Sequence, residues 1–227
     1  MNTELQTPLT WVQIVMDLVV QSLLFIFTAY IVYLSFSHSA FLFAWHPALL
    51  TIGYTVFMSE AILSFSENNL LIRNRSFQWR VRFHWIMQTI GGVLSTAGFI
   101  AILAHKFVND KHHFHTYHAI VGLITFILTA LVGVGGVWTK YSYNLRQYLR
   151  PVLAKLIHGA LGSILYFLAV ITMILGLYSN FFVRSSFSSA RGIGIFILII
   201  TATYVLIKPL TSCLMRFRSA PMRVSSL

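Results

Sequence analysis

The chain has 227 residues, 57% of them hydrophobic and only 9% charged, too little polar surface to coat a water-soluble domain of that size. Its formal net charge of +11 would suit a polyanion such as nucleic acid, but the basic residues sit between apolar stretches, where they report membrane topology, and no nucleic-acid partner is expected. A single cysteine, Cys213, excludes an internal disulfide and a thiolate metal cluster.

Six apolar stretches predict six transmembrane helices, since about 20 residues at 1.5 Å per residue cross a hydrocarbon core of roughly 30 Å. The first, about 10 to 35, has no basic residue before it and is too long for a signal-peptide core. It is expected to be a permanent helix in a mature protein that keeps its N-terminus, with Asp17 at the interface. The second, about 44 to 65, opens in FLFAWHPALL with His46 and Pro47. Proline is tolerated in the first turn of a helix, where its missing N–H has no partner to lose. Gly53 and Glu60 follow, the latter an acid that needs a partner in such a segment.

Arg73, Arg75, Arg80 and Arg82 lead into the third stretch, about 83 to 104, which starts near His84 and carries Gly91. The next connection crowds His105, His112, His113 and His115 with Lys106 and Lys111. His105 and Lys106, at the helix end, are the candidate binding residues there. The fourth stretch, about 117 to 138, begins near His118 with Gly122 behind it. Lys140, Arg146, Arg150 and Lys155 precede or open the fifth, about 153 to 182, which holds His158 and Gly162. The sixth, about 192 to 214, contains Cys213 near its end, read as a small apolar filler.

Basic residues cluster in the connections between spans two and three and between four and five, and in the tail at Arg216, Arg218 and Arg223. The positive-inside rule makes these, and both termini, cytoplasmic. On that topology the sequon Asn74-Arg75-Ser76 faces the wrong side to be glycosylated.

Chain direction then sorts the histidines into two levels, His46 and His118 near the outer face, His84 and His158 near the inner. The glycines follow at offsets of seven or four: Gly53, Gly91, Gly122 and Gly162 after His46, His84, His118 and His158. Such offsets keep a residue on one helix face, so each glycine removes bulk where a flat macrocycle would lie. Spans two and three read as a distant repeat of spans four and five about an axis along the membrane normal. Two neutral imidazoles facing each other can supply both axial ligands of a haem iron, which leaves no open site for oxygen and favours electron transfer. Lys155 would then reach a haem propionate. Two histidine pairs could equally hold a transported divalent metal, although imidazole sites usually recruit a carboxylate and none lies near these helix ends. Both readings stand at this point.

The motifs AWHPALL, FMSEAILSFS, RVRFHW, YHAIVGL, KLIHGALG and ILGLYSNFF, in that order and spacing, resemble the cytochrome b561 family, and within it the short branch of domain-containing proteins 1 and 2. The resemblance covers about residues 41–182. It implies one domain over residues 1–227: an all-α integral membrane protein of six transmembrane helices, with helices 2–5 as a four-helix haem-binding core. It implies two b-type haems, the outer on His46 and His118 and the inner on His84 and His158. It further implies an ascorbate-dependent oxidoreductase that carries electrons from cytosolic ascorbate to monodehydroascorbate radical or ferric iron on the far side, and a homodimer. Other members carry lysines before the third-span histidine where this chain has Arg80 and Arg82, and a guanidinium can hold an enolate bidentately. Arg80, Arg82, Arg150 and Lys155 are the expected inner mouth. An endomembrane, endoplasmic reticulum or vesicle, is expected ahead of the plasma membrane. The rival readings are a non-catalytic haem-bearing subunit of a larger electron-transfer complex and a histidine-lined metal transporter.

Overall fold

The computed structural model describes residues 10–219; Arg223 and the two chain ends lie outside the described residues. Six helices are long and apolar enough to cross a membrane, and among the described residues there is no strand. They are α1 (Trp11–His38), α2 (Phe41–Leu63), α3 (Phe77–Val108), α4 (Tyr117–Lys140), α5 (Pro151–Gly176) and α6 (Ala190–Ser219). A short helix, Asn180–Ser185, lies between the last two.

The starts follow from local chemistry, because the first N–H groups of a helix need outside acceptors. Thr10 and Gln13 form a capping box on α1. Ser76 and Thr116 accept from Trp79 N and Ala119 N at the starts of α3 and α4. Pro151 opens α5, where its missing N–H costs nothing.

The boundaries correct the sequence reading in three places. α2 begins at Phe41, so Pro47 lies inside the helix and not in its first turn. α3 begins at Phe77, so Arg80 and Arg82 belong to its opening turns and not to the connection; the Ser76 cap starts the helix early, and arginine stems can lie along apolar surface with the head in water. The fifth apolar stretch ends as a helix at Gly176, because Ser179 accepts from Phe182 N and starts a new one.

α2 packs on α3 and α4 on α5, while α1 lies against α2 and α6, and α6 against α5. Gly53 and Gly91 form the α2–α3 crossing: a Cβ on either would stand 3.0 Å from the other's carbonyl oxygen. At this same depth α2 widens to a π-helix over Ile52–Met58, with Ser59 Oγ donating to Tyr54 O. π segments are rare and recur at functional sites.

The apolar core sits to one side, where Phe27, Ile31 and Leu34 of α1 meet Val170 of α5 and Leu198 and Val205 of α6. Large side chains such as Phe25, Val93, Leu131 and Phe196 face outward, as lipid-facing positions do. Asp17 is not interfacial: it is 1% exposed and accepts from Leu70 N at 3.2 Å and from Tyr204 Oη at 3.3 Å. A carboxyl at this depth needs such partners, and this one ties α1 to α6 and to the connection before α3. Glu60 accepts from Asn69 Nδ2 at 3.3 Å. Cys213 fills the α5–α6 contact, its Sγ 3.0 Å from where a Cβ on Gly159 would lie.

Candidate haem sites

The four histidines at the helix ends come together in the two pairs that chain direction predicts. The rings of His46 (α2) and His118 (α4) have centroids 6.1 Å apart and planes at 84°. Those of His84 (α3) and His158 (α5) are 6.2 Å apart, also at 84°.

Three of the four rings are anchored through Nδ1. His46 Nδ1 lies 3.2 Å from Gly98 O, His84 Nδ1 2.8 Å from Ala61 O, and His118 Nδ1 2.9 Å from Thr172 O. A carbonyl can only accept, so Nδ1 carries the proton and Nε2 keeps its lone pair for a metal. His158 Nδ1 is buried without a partner. The acceptors also measure the separation of the levels. Gly98 and His84 are fourteen residues apart on α3 (98 − 84) and Thr172 and His158 fourteen apart on α5 (172 − 158), about 21 Å at 1.5 Å per residue.

A metal–imidazole nitrogen bond is about 2.0–2.1 Å, and ring centroids 6.1 and 6.2 Å apart leave room for one metal ion between the two rings of each pair. His46 with His118, and His84 with His158, would hold a b-type haem there, which would supply one-electron carrier chemistry.

The glycines divide the work differently from their sequence offsets. At Gly53 and Gly91 the room is taken up by the helix crossing. A Cβ on Gly122 would meet Thr172 Cγ2 at 3.3 Å, and at Gly162 it would meet open space. The glycines that face the histidine rings are Gly136, 3.1 Å from His158 Cε1 by the same measure, and Gly176, 3.3 Å from His118 Cε1. Neither shares a helix with the ring it touches, so no offset along one helix reveals it. An apolar cleft of about 160 Å³, lined by Leu131, Gly135, Trp138, Ala154 and His158 among others, opens between α4 and α5 at the inner level.

Among the candidate substrate residues, Arg80 donates through Nε to Arg75 O at 3.3 Å and through Nη2 to Arg73 O, and so braces the connection before α3. Arg82, Arg150 and Lys155 are exposed at the same end of the bundle. On the outer side His105 is buried against Phe43, ring centroids 5.5 Å apart, with Lys111 Nζ 3.4 Å from its Nε2. Lys106 Nζ donates to His112 O at 2.8 Å. Among the described residues no three His, Cys, Asp or Glu side chains converge on a metal-sized site.

Residues 45–183 match the profile of eukaryotic cytochrome b561. The chain belongs to that family. Mouse transmembrane reductase CYB561D2 is 29% identical over 180 residues, which cover 79% of this chain and 81% of the relative. The human protein of the same name gives the same values. Mouse probable transmembrane reductase CYB561D1 is 30% identical over 141 residues, 62% of this chain and 61% of the relative. The chain is thus a cytochrome b561 of the domain-containing 1 and 2 type, and the family brings b-type haem as cofactor.

Proposed function

We propose that this protein is a transmembrane reductase that takes electrons from cytosolic ascorbate and delivers them to monodehydroascorbate radical or ferric iron on the opposite face. The observation that carries the reading is the pair of histidine sets, alike in ring spacing and angle, about 21 Å apart along the bundle. Two b-type haems would supply one-electron carrier chemistry at these levels. The residues do the rest. His46 with His118 and His84 with His158 hold the cofactors through Nε2, while Gly98, Thr172 and Ala61 fix the tautomer of three of them. Arg82, Arg150 and Lys155 draw the ascorbate anion to the inner mouth, with Arg80 shaping the connection beside them, and Lys155 serves a propionate. Ascorbate gives up one electron and one proton per turnover, and the acceptor gains the electron on the far side. His105, packed on Phe43 beside His46, and Lys106 form the outer docking point. Both termini are cytoplasmic, and the protein works as a homodimer in an endomembrane.

The test is an absorption spectrum of the detergent-purified protein, oxidised and then with ascorbate, alongside haem quantification. Two b-type haems per chain, reduced by ascorbate, are expected; a folded preparation without haem would sink the reading. Electron paramagnetic resonance supplies a second check. If each near-perpendicular ring pair holds a haem, the ferric protein should give strongly anisotropic low-spin signals.

A further inference from the structure

Midway between the two histidine levels one side chain reaches across the bundle. Tyr54 stands eight residues inward of His46 and seven outward of Ala61, whose carbonyl marks the inner level. It lies in the π segment and is 6% exposed. Its ring clusters with Met58 of α2 and with Ala169 and Met173 of α5. Its hydroxyl meets Thr129 of α4 at 2.7 Å. Tyr54 of α2 therefore contacts both α4 and α5.

The direction of the main bond is fixed. Thr129 Oγ1 gives its proton to Thr125 O at 2.8 Å, so the Tyr54 O–H donates to Thr129. Further out, Thr125 Oγ1 lies 3.1 Å from Thr172 Oγ1, each giving its proton to a carbonyl one turn back in its own helix, Val121 O and Leu168 O. The Tyr54 hydroxyl, buried among apolar side chains, depends on Thr129 for its partner.

We propose that Tyr54 is a positioning residue for the electron step between the two levels: its ring fills the axis between them, and its bond to Thr129 holds the ring there. The proposal rests on the two-haem reading above. One electron leaves the inner level and arrives at the outer; Tyr54 is neither oxidised nor deprotonated, since its polar contacts are hydroxyls that take no proton from it. Its contribution is close-packed, bonded matter on the path, through which electronic coupling falls off less steeply than across a gap.

The test uses the full-length holoprotein mixed rapidly with ascorbate, followed by optical redox titration. Tyr54→Leu is expected to keep two haems and both midpoint potentials but to lose the fast reduction of the outer level; the same variant with the fast phase intact overturns the proposal. If Tyr54→Leu does not load, Tyr54→Met, longer and more adaptable in packing, is judged by the same criterion. A second readout needs no haem. In apoprotein melting, Tyr54→Phe and Thr129→Val should each destabilise, and the double variant should recover part of the loss, because removing both partners leaves no buried hydroxyl unmatched. Strictly additive losses overturn the bond on which the positioning depends. If wild-type protein carries fewer than two haems, the two-haem reading fails on its own, and the apoprotein cycle still decides the Tyr54–Thr129 contact.

Discussion

At the outer level both imidazoles are held from behind, His46 by Gly98 O and His118 by Thr172 O, whereas at the inner level only His84 has such an acceptor, Ala61 O. His84 takes its carbonyl from Ala61 of α2, which also accepts from Ser64 Oγ at 2.7 Å, whereas His158 Nδ1 is buried without an acceptor. The two histidine pairs, nearly equal in ring geometry, thus differ in the hydrogen bonding behind their rings, and such bonds tune the potential of a haem wherever histidines ligate one.

The largest expected effect removes a level outright. His46→Ala or His118→Ala should leave one haem per chain with the inner level intact, and His84→Ala or His158→Ala one haem with the outer intact, as read by haem quantification and the reduced spectrum. Loss of both haems from any single replacement would break the comparison, by showing that the levels do not load separately.

Next come the glycines that touch the rings. At the outer level, Gly176→Ala presses on His118, a ring already held by Thr172, so the strain falls on the packing and should cost about 1–3 kcal/mol of apoprotein stability. At the inner level, Gly136→Ala presses on an unanchored His158, which can turn away. Stability should then hold while inner haem occupancy falls. Melting and haem content measured on both variants check the contrast.

How much of this was legible in the sequence depends on whether a feature lives on one helix or between two. The six spans and the two histidine levels follow from hydropathy and chain direction, each a property of one segment, and the structure pairs His46 with His118 and His84 with His158 accordingly. The glycine offsets give a face and not a neighbour, so they pointed to Gly53 and Gly91, which meet each other, and missed Gly136 and Gly176, which meet rings on another helix. Asp17 reads as interfacial because nothing nearby in sequence partners it; its acceptor contacts come from Leu70 and Tyr204, far along the chain. The π segment in α2 leaves no composition signal, and the reach of Tyr54 to Thr129 depends on it. Arg80, a candidate anion ligand by sequence, spends donors on the carbonyls of Arg73 and Arg75, a use that only the path of the connection shows.

The two faces of the bundle also fasten their connections by different means, and the smallest prediction rests on that difference. Outside, Lys106 Nζ donates to a backbone carbonyl, His112 O, which does not titrate. Inside, Lys208 Nζ pairs with Glu67 Oε1 at 2.8 Å and ties α6 to the connection before α3. The hydrogen bond and charge of Lys208 hold the Glu67 carboxyl below the usual glutamate range. Its folded pKa therefore lies below its unfolded one, so the stabilisation is present above the unfolded pKa and is lost as pH falls through the folded value. Glu67 is 78% exposed, and solvent screening limits the pair to at most about 0.5 kcal/mol. That is roughly 1–2 °C in melting temperature for a chain of this size. Melting curves of wild type and Glu67→Gln should differ by that much at neutral pH and low salt, and converge in acid or at high ionic strength. Lys106→Met should instead show a loss that persists at high ionic strength, since the bond it removes ends on a carbonyl; a loss at Lys106 that vanished in high salt would show that a charged group, and not that carbonyl, fastens the outer connection.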